Sequence, residues 1–447
     1  NKNEELAMLI LNNTLWLTIV FFSINNFRKR IALLLFLLAF FVFLMGRDIT
    51  LFLAGKDWIG NYSISSQKHY NYTIFISLLG IFLGYLLTKN NSKNFNFTLK
   101  NALGNNKKYF TFLFYIVSII YIIVLAPRVI YVQEYGYDLY YTEFTYSIPL
   151  LNSIIQQLFY VLFVFLLLTF PNQKEIKSVI FCFILVSVLF WFTGQRSTTI
   201  LNLFIIIMYY VKRDCEAKTN QEERWIKKHY ILYALILFPI LLSVSYWYSF
   251  VRSGQIIPTY SIMEGVQGFF ESQGMSKTII TEGYDKANFF PGAKIMYFLS
   301  PIINFFTQNR IVMMLTKGSS LIPYTVDYAL SGYNFGATLS YLILGNSYLS
   351  GAGLGSSYIA EAYFAFGYFS IFIFSYFIGI VIKKLECLLS FKWQLSIFAL
   401  LCYKYLLFMP RDNALGWITK GFNLTNIVLV VIFFFIVSFF SKKRVIS

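Results

Sequence analysis

Histidine and cysteine are scarce in this 447-residue chain, with two of the first (His69 and His229) and four of the second. Charge is scarce too, at 13% of residues, where a soluble chain carries about a quarter. There is no Asp-x-Asp pair and no nucleotide-binding glycine loop. These shortages exclude several classes. Two histidines on opposite sides of the expected bilayer cannot share a metal, and no zinc or Cys/His nucleophile arrangement can be assembled. Cys182 and Cys402 lie within apolar runs, and Cys215 and Cys387 lie in basic stretches, so no external disulfide framework is expected. The chain starts at Asn rather than Met, so a short lead is expected before it. The charged flank and length of the first run argue against a cleaved signal peptide.

What is plentiful is apolar sequence, 57% of residues. It is laid out in runs of about 17 to 25 residues, the length that crosses ~30 Å of hydrocarbon as helix. The expected fold is therefore an all-α polytopic membrane protein. Eleven crossings are expected, at 6–24, 31–46, 72–88, 109–127, 149–170, 178–194, 197–211, 230–250, 357–382, 393–409 and 422–440. The net charge of +17 invites a nucleic-acid reading, but its distribution argues otherwise. With the first residue outside, the inward segments hold 22 Lys/Arg against 6 Asp/Glu, while the outward side, counting Glu361 near the outer end of its helix, holds 14 of each. Lys404, within a helix, supplies the last charge. Positive charge gathered on one side is the mark of membrane topology, and no nucleic-acid partner is expected.

Three parts follow: helices one to eight in 1–250, a large external loop at 251–356, and helices nine to eleven in 357–447. The loop alternates polar turns with apolar pieces, at Ile295–Phe306, Ile311–Leu315 and Ala337–Leu349. These are too short to span and too apolar for water, so short interfacial or re-entrant helices roofing a cavity are expected. The basic inner loops 89–108 and 212–229 read as solvated linkers.

Charges held at membrane depth are costly and usually face a cavity or a partner. The hairpin from Ser178 to Val211, held by Lys177 and Lys212, rises only about 25 Å per arm. Its tip Gly194-Gln195-Arg196-Ser197 should thus stop near the outer hydrocarbon edge. Arg252 follows an apolar run of similar reach, and Glu361 lies one to two turns inside the outer surface on a helix ending at Lys383-Lys384. Arginine forks bind pyrophosphate oxygens in pairs, and a partly desolvated glutamate is a candidate base. The alternative is structural: Arg196 snorkels to headgroups, or pairs with Glu361. Arg47-Asp48, Arg128 and Arg411-Asp412 read first as interfacial anchors, while Arg310 and Asp327 either reach a ligand or stay solvated. The glycines 351, 353 and 355 fit close packing or a hinge. External tyrosines read mostly as a belt, with sugar stacking as the other role.

The tip GQRSTTILNLF, the Arg ending YWYSFVRSG and the stretch GLGSSYIAEAYFAFGYFSIFIFSYFIG together resemble the Wzy-type polymerases of lipid-linked oligosaccharide repeat units. The resemblance implies a GT-C-like glycosyltransferase of O-antigen or a related surface polysaccharide, in the bacterial inner membrane, multi-pass, with its active face periplasmic. Its substrate would be an undecaprenyl-pyrophosphate-linked oligosaccharide, and it would need neither cofactor nor metal. Membrane lipids and a Wzz-type chain-length regulator are the implied partners. Carried over, Glu361 becomes the catalytic candidate, with Arg196 and Arg252 as pyrophosphate binders. Arg47, Arg310, Arg411 and Tyr358 join them as substrate-binding candidates. The rivals are an O-antigen ligase, which would use a histidine in a loop that has none here, and a flippase or other transporter, which would show two comparable halves.

Overall fold

The computed structural model describes residues 2–89, 99, 103–137, 139–144, 148–219, 223–253, 255–256, 258–307 and 321–446. The fold is that of an all-α polytopic membrane protein, and no strand occurs among the described residues. Eight helices there are long and apolar enough to cross a membrane. They are α1 (Lys2–Asn25), α2 (Ile31–Leu53), α3 (Ile64–Leu87), α4 (Lys107–Tyr135), α5 (Pro149–Leu168), α6 (Gln173–Phe192), α13 (Tyr358–Leu385) and α15 (Leu424–Ile446). Three more helices cover the other expected crossings: α7 (Arg196–Thr219), α8 (Lys228–Ser253) and α14 (Trp393–Leu406). The segment after α8 is helical too, through α9 (Ile262–Gln273), α10 (Met275–Asp285), α11 (Lys294–Thr307) and α12 (Phe335–Leu344). The expected piece Ile311–Leu315 lies outside the described residues.

Several helices outrun their apolar windows. α3 begins at Ile64 rather than 72, because Ser63 caps it by accepting from Ser66 N, and the polar stretch that follows is buried against protein rather than lipid. α2 continues past Met45 through a π turn at Phe41–Met45, carrying Arg47 and Asp48 inside a helix. α7 continues past Lys212 to Thr219, which corrects the expectation of a solvated linker there. Buried Asp214 accepts from Arg224 Nε (2.9 Å), Trp225 N (3.0 Å) and Ile226 N (3.1 Å), and Arg213 lies over the rings of Phe170 and Trp225. Charges end a hydropathy window but not a helix when protein supplies their partners.

The chain divides into two compact units. The first comprises residues 1–89, 228–386 and 406–419, and the second 90–227, 387–405 and 420–447. In the first unit, α3 and α13 approach backbone to backbone. A Cβ on Gly84 would fall 2.0 Å from Tyr376 O, and one on Gly379 2.1 Å from Ile81 O. Gly80 and Gly84 thus face Ser375 and Gly379, a small-xxx-small crossing on both helices. In the second unit, rings fill the seam of α4, α5 and α6, with Phe163 and Phe183 stacked at 3.6 Å and Phe159 against Phe183 at 5.3 Å.

Candidate substrate site

α13 is not one continuous rod. Phe366 (φ −149°, ψ 38°) and Gly367 (φ 67°, ψ −148°) leave helical geometry and cut it in two. Ser370 patches the gap: its Oγ accepts from Phe366 N (3.1 Å) and donates to Ala362 O and Gly367 O. Broken helices at membrane depth are tolerated where protein or a cavity satisfies the freed backbone. Glu361 stands on the short outer piece. It is fully buried, and its carboxylate accepts from Ser356 Oγ (2.6 Å), Asn413 Nδ2 (2.5 Å) and Ala414 N (2.8 Å). It therefore ties the glycine-rich stretch before α13 to the turn at Met409–Arg411 and the residues after it. In this conformation the carboxylate is committed to those donors. A role as base requires one of them to give way.

The glycines leading into α13 have conformational reasons of their own. Gly351 and Gly355 adopt φ of 101° and 86°, where a side chain would be strained. They let the chain wrap α12, where Leu354 N donates to Ser340 Oγ (2.9 Å).

Arg411, on the same turn that Glu361 anchors, donates from Nη1 to Gln273 O and to Gln273 Oε1, both at 3.2 Å. Gln273 closes α9, and Gly274 joins it to α10. The stem of Arg47 packs on that same joint, since a Cβ on Gly274 would sit 2.3 Å from Arg47 Cβ. Beside Arg47, Asp48 and Lys277 form a buried ion pair, Nζ to Oδ1 at 3.0 Å and to Oδ2 at 3.1 Å, each 2% exposed. Lys277 also donates to Trp58 O (2.8 Å). The interfacial-anchor reading of Arg47-Asp48 is corrected here. Sequence gave no sign of the partner, which is 229 residues away.

Arg252 is the penultimate residue of α8. After α8 the chain doubles back, and α9 then runs parallel to it, with Gly265 against Ser243 and Gly268 against Tyr246. Arg47 and Arg411 thus meet at the α9–α10 joint, in the first unit, to which Arg252 also belongs. Arg196 belongs to the second unit, where it opens α7 just after the hairpin turn, half-buried. Arg310 lies outside the described residues. Tyr358 is corrected: its ring is fully buried and its hydroxyl pairs with Ser77, so it packs α13 on α3 and shows no face to a sugar.

The family model for O-antigen polysaccharide polymerase Wzy matches residues 4–444, almost the entire chain. The chain belongs to that family. It is a membrane polysaccharide polymerase. No curated protein and no solved structure matches it. Among the described residues, no three His, Cys, Asp or Glu side chains gather in a way that would hold a metal ion.

Two features of this polymerase escaped the sequence reading. His69 is buried in α3, stacked on Tyr284 at 4.2 Å, with Tyr363 at its edge and the Tyr368 hydroxyl 3.0 Å from Nδ1. Arg128, read as an interfacial anchor, is instead 7% exposed beneath the ring of Tyr140 (4.3 Å). The signal for it was Pro127 inside an apolar run that continued beyond it.

Proposed function

We propose that this polymerase moves a growing glycan from undecaprenyl pyrophosphate onto the non-reducing end of the next lipid-linked repeat, at the periplasmic face of the inner membrane. An acceptor hydroxyl attacks the anomeric carbon of the growing chain. The new glycosidic bond forms as the bond to pyrophosphate breaks. The charge that develops on the leaving group has to be met by fixed cations, because electrostatic stabilisation of that kind supplies much of such a barrier. Arg47 and Arg411 take this part at the α9–α10 joint; Arg252, in the same unit, and Arg196, in the second, are the other pyrophosphate-binding candidates. The observation that carries the reading is the meeting of Arg47 and Arg411 on one joint, in a chain of this family.

Glu361 enters as a positioning residue, holding the turn that carries Arg411. Asp412, half-buried on that turn, is the candidate base for the acceptor proton. The one-sided positive charge supports a periplasmic site. A chain-length regulator in the same membrane is the proposed protein partner.

The test is complementation of a polymerase-null strain, with glycan ladders read on a gel. Wild type restores long chains, while Arg196→Ala, Arg252→Ala and Arg411→Ala leave single repeats at normal membrane levels. If Arg196→Ala and Arg252→Ala both polymerise normally, the pyrophosphate assignment is wrong. A null strain whose single-repeat lipid never reaches the outer face would instead indicate a flippase.

A further inference from the structure

Two cations of the second unit lie buried with no acid against them among the described residues. Arg128, on α4, is 7% exposed, and its Nε and Nη2 have no hydrogen-bond partner. Lys404, on α14, is 4% exposed, with Nζ 3.8 Å from the centre of the Tyr160 ring. Both lie against α5: Arg128 is on the buried stripe of α4 (Tyr121, Leu125, Arg128, Val132), whose Tyr121 packs on Phe159 at 5.1 Å, and the next residue, Tyr160, carries the ring under Lys404 and a hydroxyl. That hydroxyl receives Asn202 Nδ2 from α7 at 3.4 Å. Asn202 is 1% exposed, gives Nδ2 to Ser187 Oγ as well (2.9 Å), and leaves its Oδ1 without a donor.

The described carboxylates of this unit are spent elsewhere. Asp214 and Glu216 pair with Arg224 and Arg213, and Glu134, Glu143, Glu175 and Glu223 are exposed. Aromatic faces offset part of the cost of burying a cation, but not the loss of its hydration. Two such groups beside an unfilled acceptor describe a place for a ligand that brings negative charge and a hydroxyl together.

We propose that Arg128 and Lys404 form a second anion site, which takes the phosphate of a lipid-borne headgroup while Asn202 Oδ1 accepts from one of its hydroxyls. Its relation to the substrate rests on the reading that repeats arrive on a pyrophosphate carrier. The placement suits that use. Asn202 follows Arg196 by six residues on α7, about 9 Å deeper along the helix. Gln133, five residues beyond Arg128, is fixed to the hairpin tip through Phe192 O (3.2 Å). A phosphate met by Arg196 at the tip therefore has a second station roughly two turns further in.

Thermal unfolding of the purified full-length protein in detergent tests this, with farnesyl pyrophosphate, inorganic pyrophosphate and phosphatidylglycerol as probes. Farnesyl pyrophosphate should raise the wild-type midpoint, and its apparent Kd should rise at least ten-fold in Lys404→Met and in Arg128→Gln. Without any probe, Lys404→Met should unfold at or above the wild-type temperature, because an unpaired buried charge has been removed. Protection by phosphatidylglycerol that both variants lose would support the site and name bulk lipid as its source. Protection by farnesyl pyrophosphate alone would name the glycan carrier. If both variants bind every probe like wild type, or both lose stability unliganded with an unchanged ligand shift, the cations are structural and the site is refuted. Arg196→Ala separates the two readings. Failure of polymerisation there, beside unaltered binding in Lys404→Met, sinks this site and leaves the proposed function standing.

Discussion

Replacing Glu361 tests whether one buried carboxylate sets the geometry of the arginine turn. Glu361→Ala removes the acceptor for three donors. Ala414 is fully buried and Ser356 is 5% exposed, so neither their N–H nor their hydroxyl can turn to water, whereas the half-buried Asn413 can. Orphaning a buried donor costs about 1–3 kcal/mol, so two of them give a loss of roughly 2–6 kcal/mol. Glu361→Gln keeps the shape but sets an amide NH2 against donors that Oε1 and Oε2 had both received, which should cost on the order of 1–3 kcal/mol.

The assay is intrinsic-fluorescence unfolding in detergent, paired with ladder length per folded molecule in the null strain. Both variants should unfold earlier, with Ala worse than Gln, and both should shorten the ladder. Asn413→Ala should reproduce a milder form of each. A Gln variant as stable as wild type would refute the hydrogen-bond reasoning outright. Lost stability with full-length ladders would make Glu361 a strut that positions nothing in the reaction.

Three further outcomes follow from particular contacts. Gly84→Ala places a methyl 2.0 Å from Tyr376 O, which forces α3 off α13; a loss of about 1–3 kcal/mol is expected in the same unfolding assay. Asp48→Leu or Lys277→Met alone strands a buried charge and should cost about 3–5 kcal/mol, while the double variant should cost clearly less than the two summed. A double variant that simply adds the two would show that the pair does not interact. For topology, Met263→Cys in a cysteine-free background should react with an impermeant maleimide from the periplasmic side, since Met263 is 76% exposed. Ser276, on the neighbouring helix, is fully buried and cannot serve as such a probe.

The membrane class was legible because bilayer length and one-sided charge are written locally in the sequence. The apolar helices α11 and α12 of the 251–356 segment were legible for the same reason. α9 and α10 were not, because each buries only a narrow stripe: Gly265, Gly268 and Phe269 in one, Ser276, Lys277, Ile279 and Ile280 in the other. A local signal did exist, since Ser261 and Glu264 form a reciprocal capping box at the start of α9. The arginines could be singled out from depth alone. Their partners could not, because Lys277 to Asp48 and Arg411 to Gln273 are contacts across the chain that no spacing rule encodes. Tyr358 shows the converse error: a ring beside a candidate carboxylate was grouped with it, though helix packing had already claimed it.

The treatment of buried cations differs between the two units, and the difference bears on turnover. In the first, Lys277 is held by a resident carboxylate and a carbonyl, so its charge is spent on holding α10 against α2. In the second, Arg128 and Lys404 face aromatic rings, which attract a cation without neutralising it. On the proposed mechanism, an anionic carrier has to be taken up and released after every transfer. A fixed carboxylate at the receiving cation would compete with each incoming phosphate and weaken capture. Bare water would screen the charge and weaken it too. A ring face avoids both, keeping the cation buried and its positive charge available. The expected consequence is that Tyr160→Phe, which keeps the face, preserves ligand binding, while Tyr160→Leu lowers it. Equal binding by the two would show that the ring contributes only bulk.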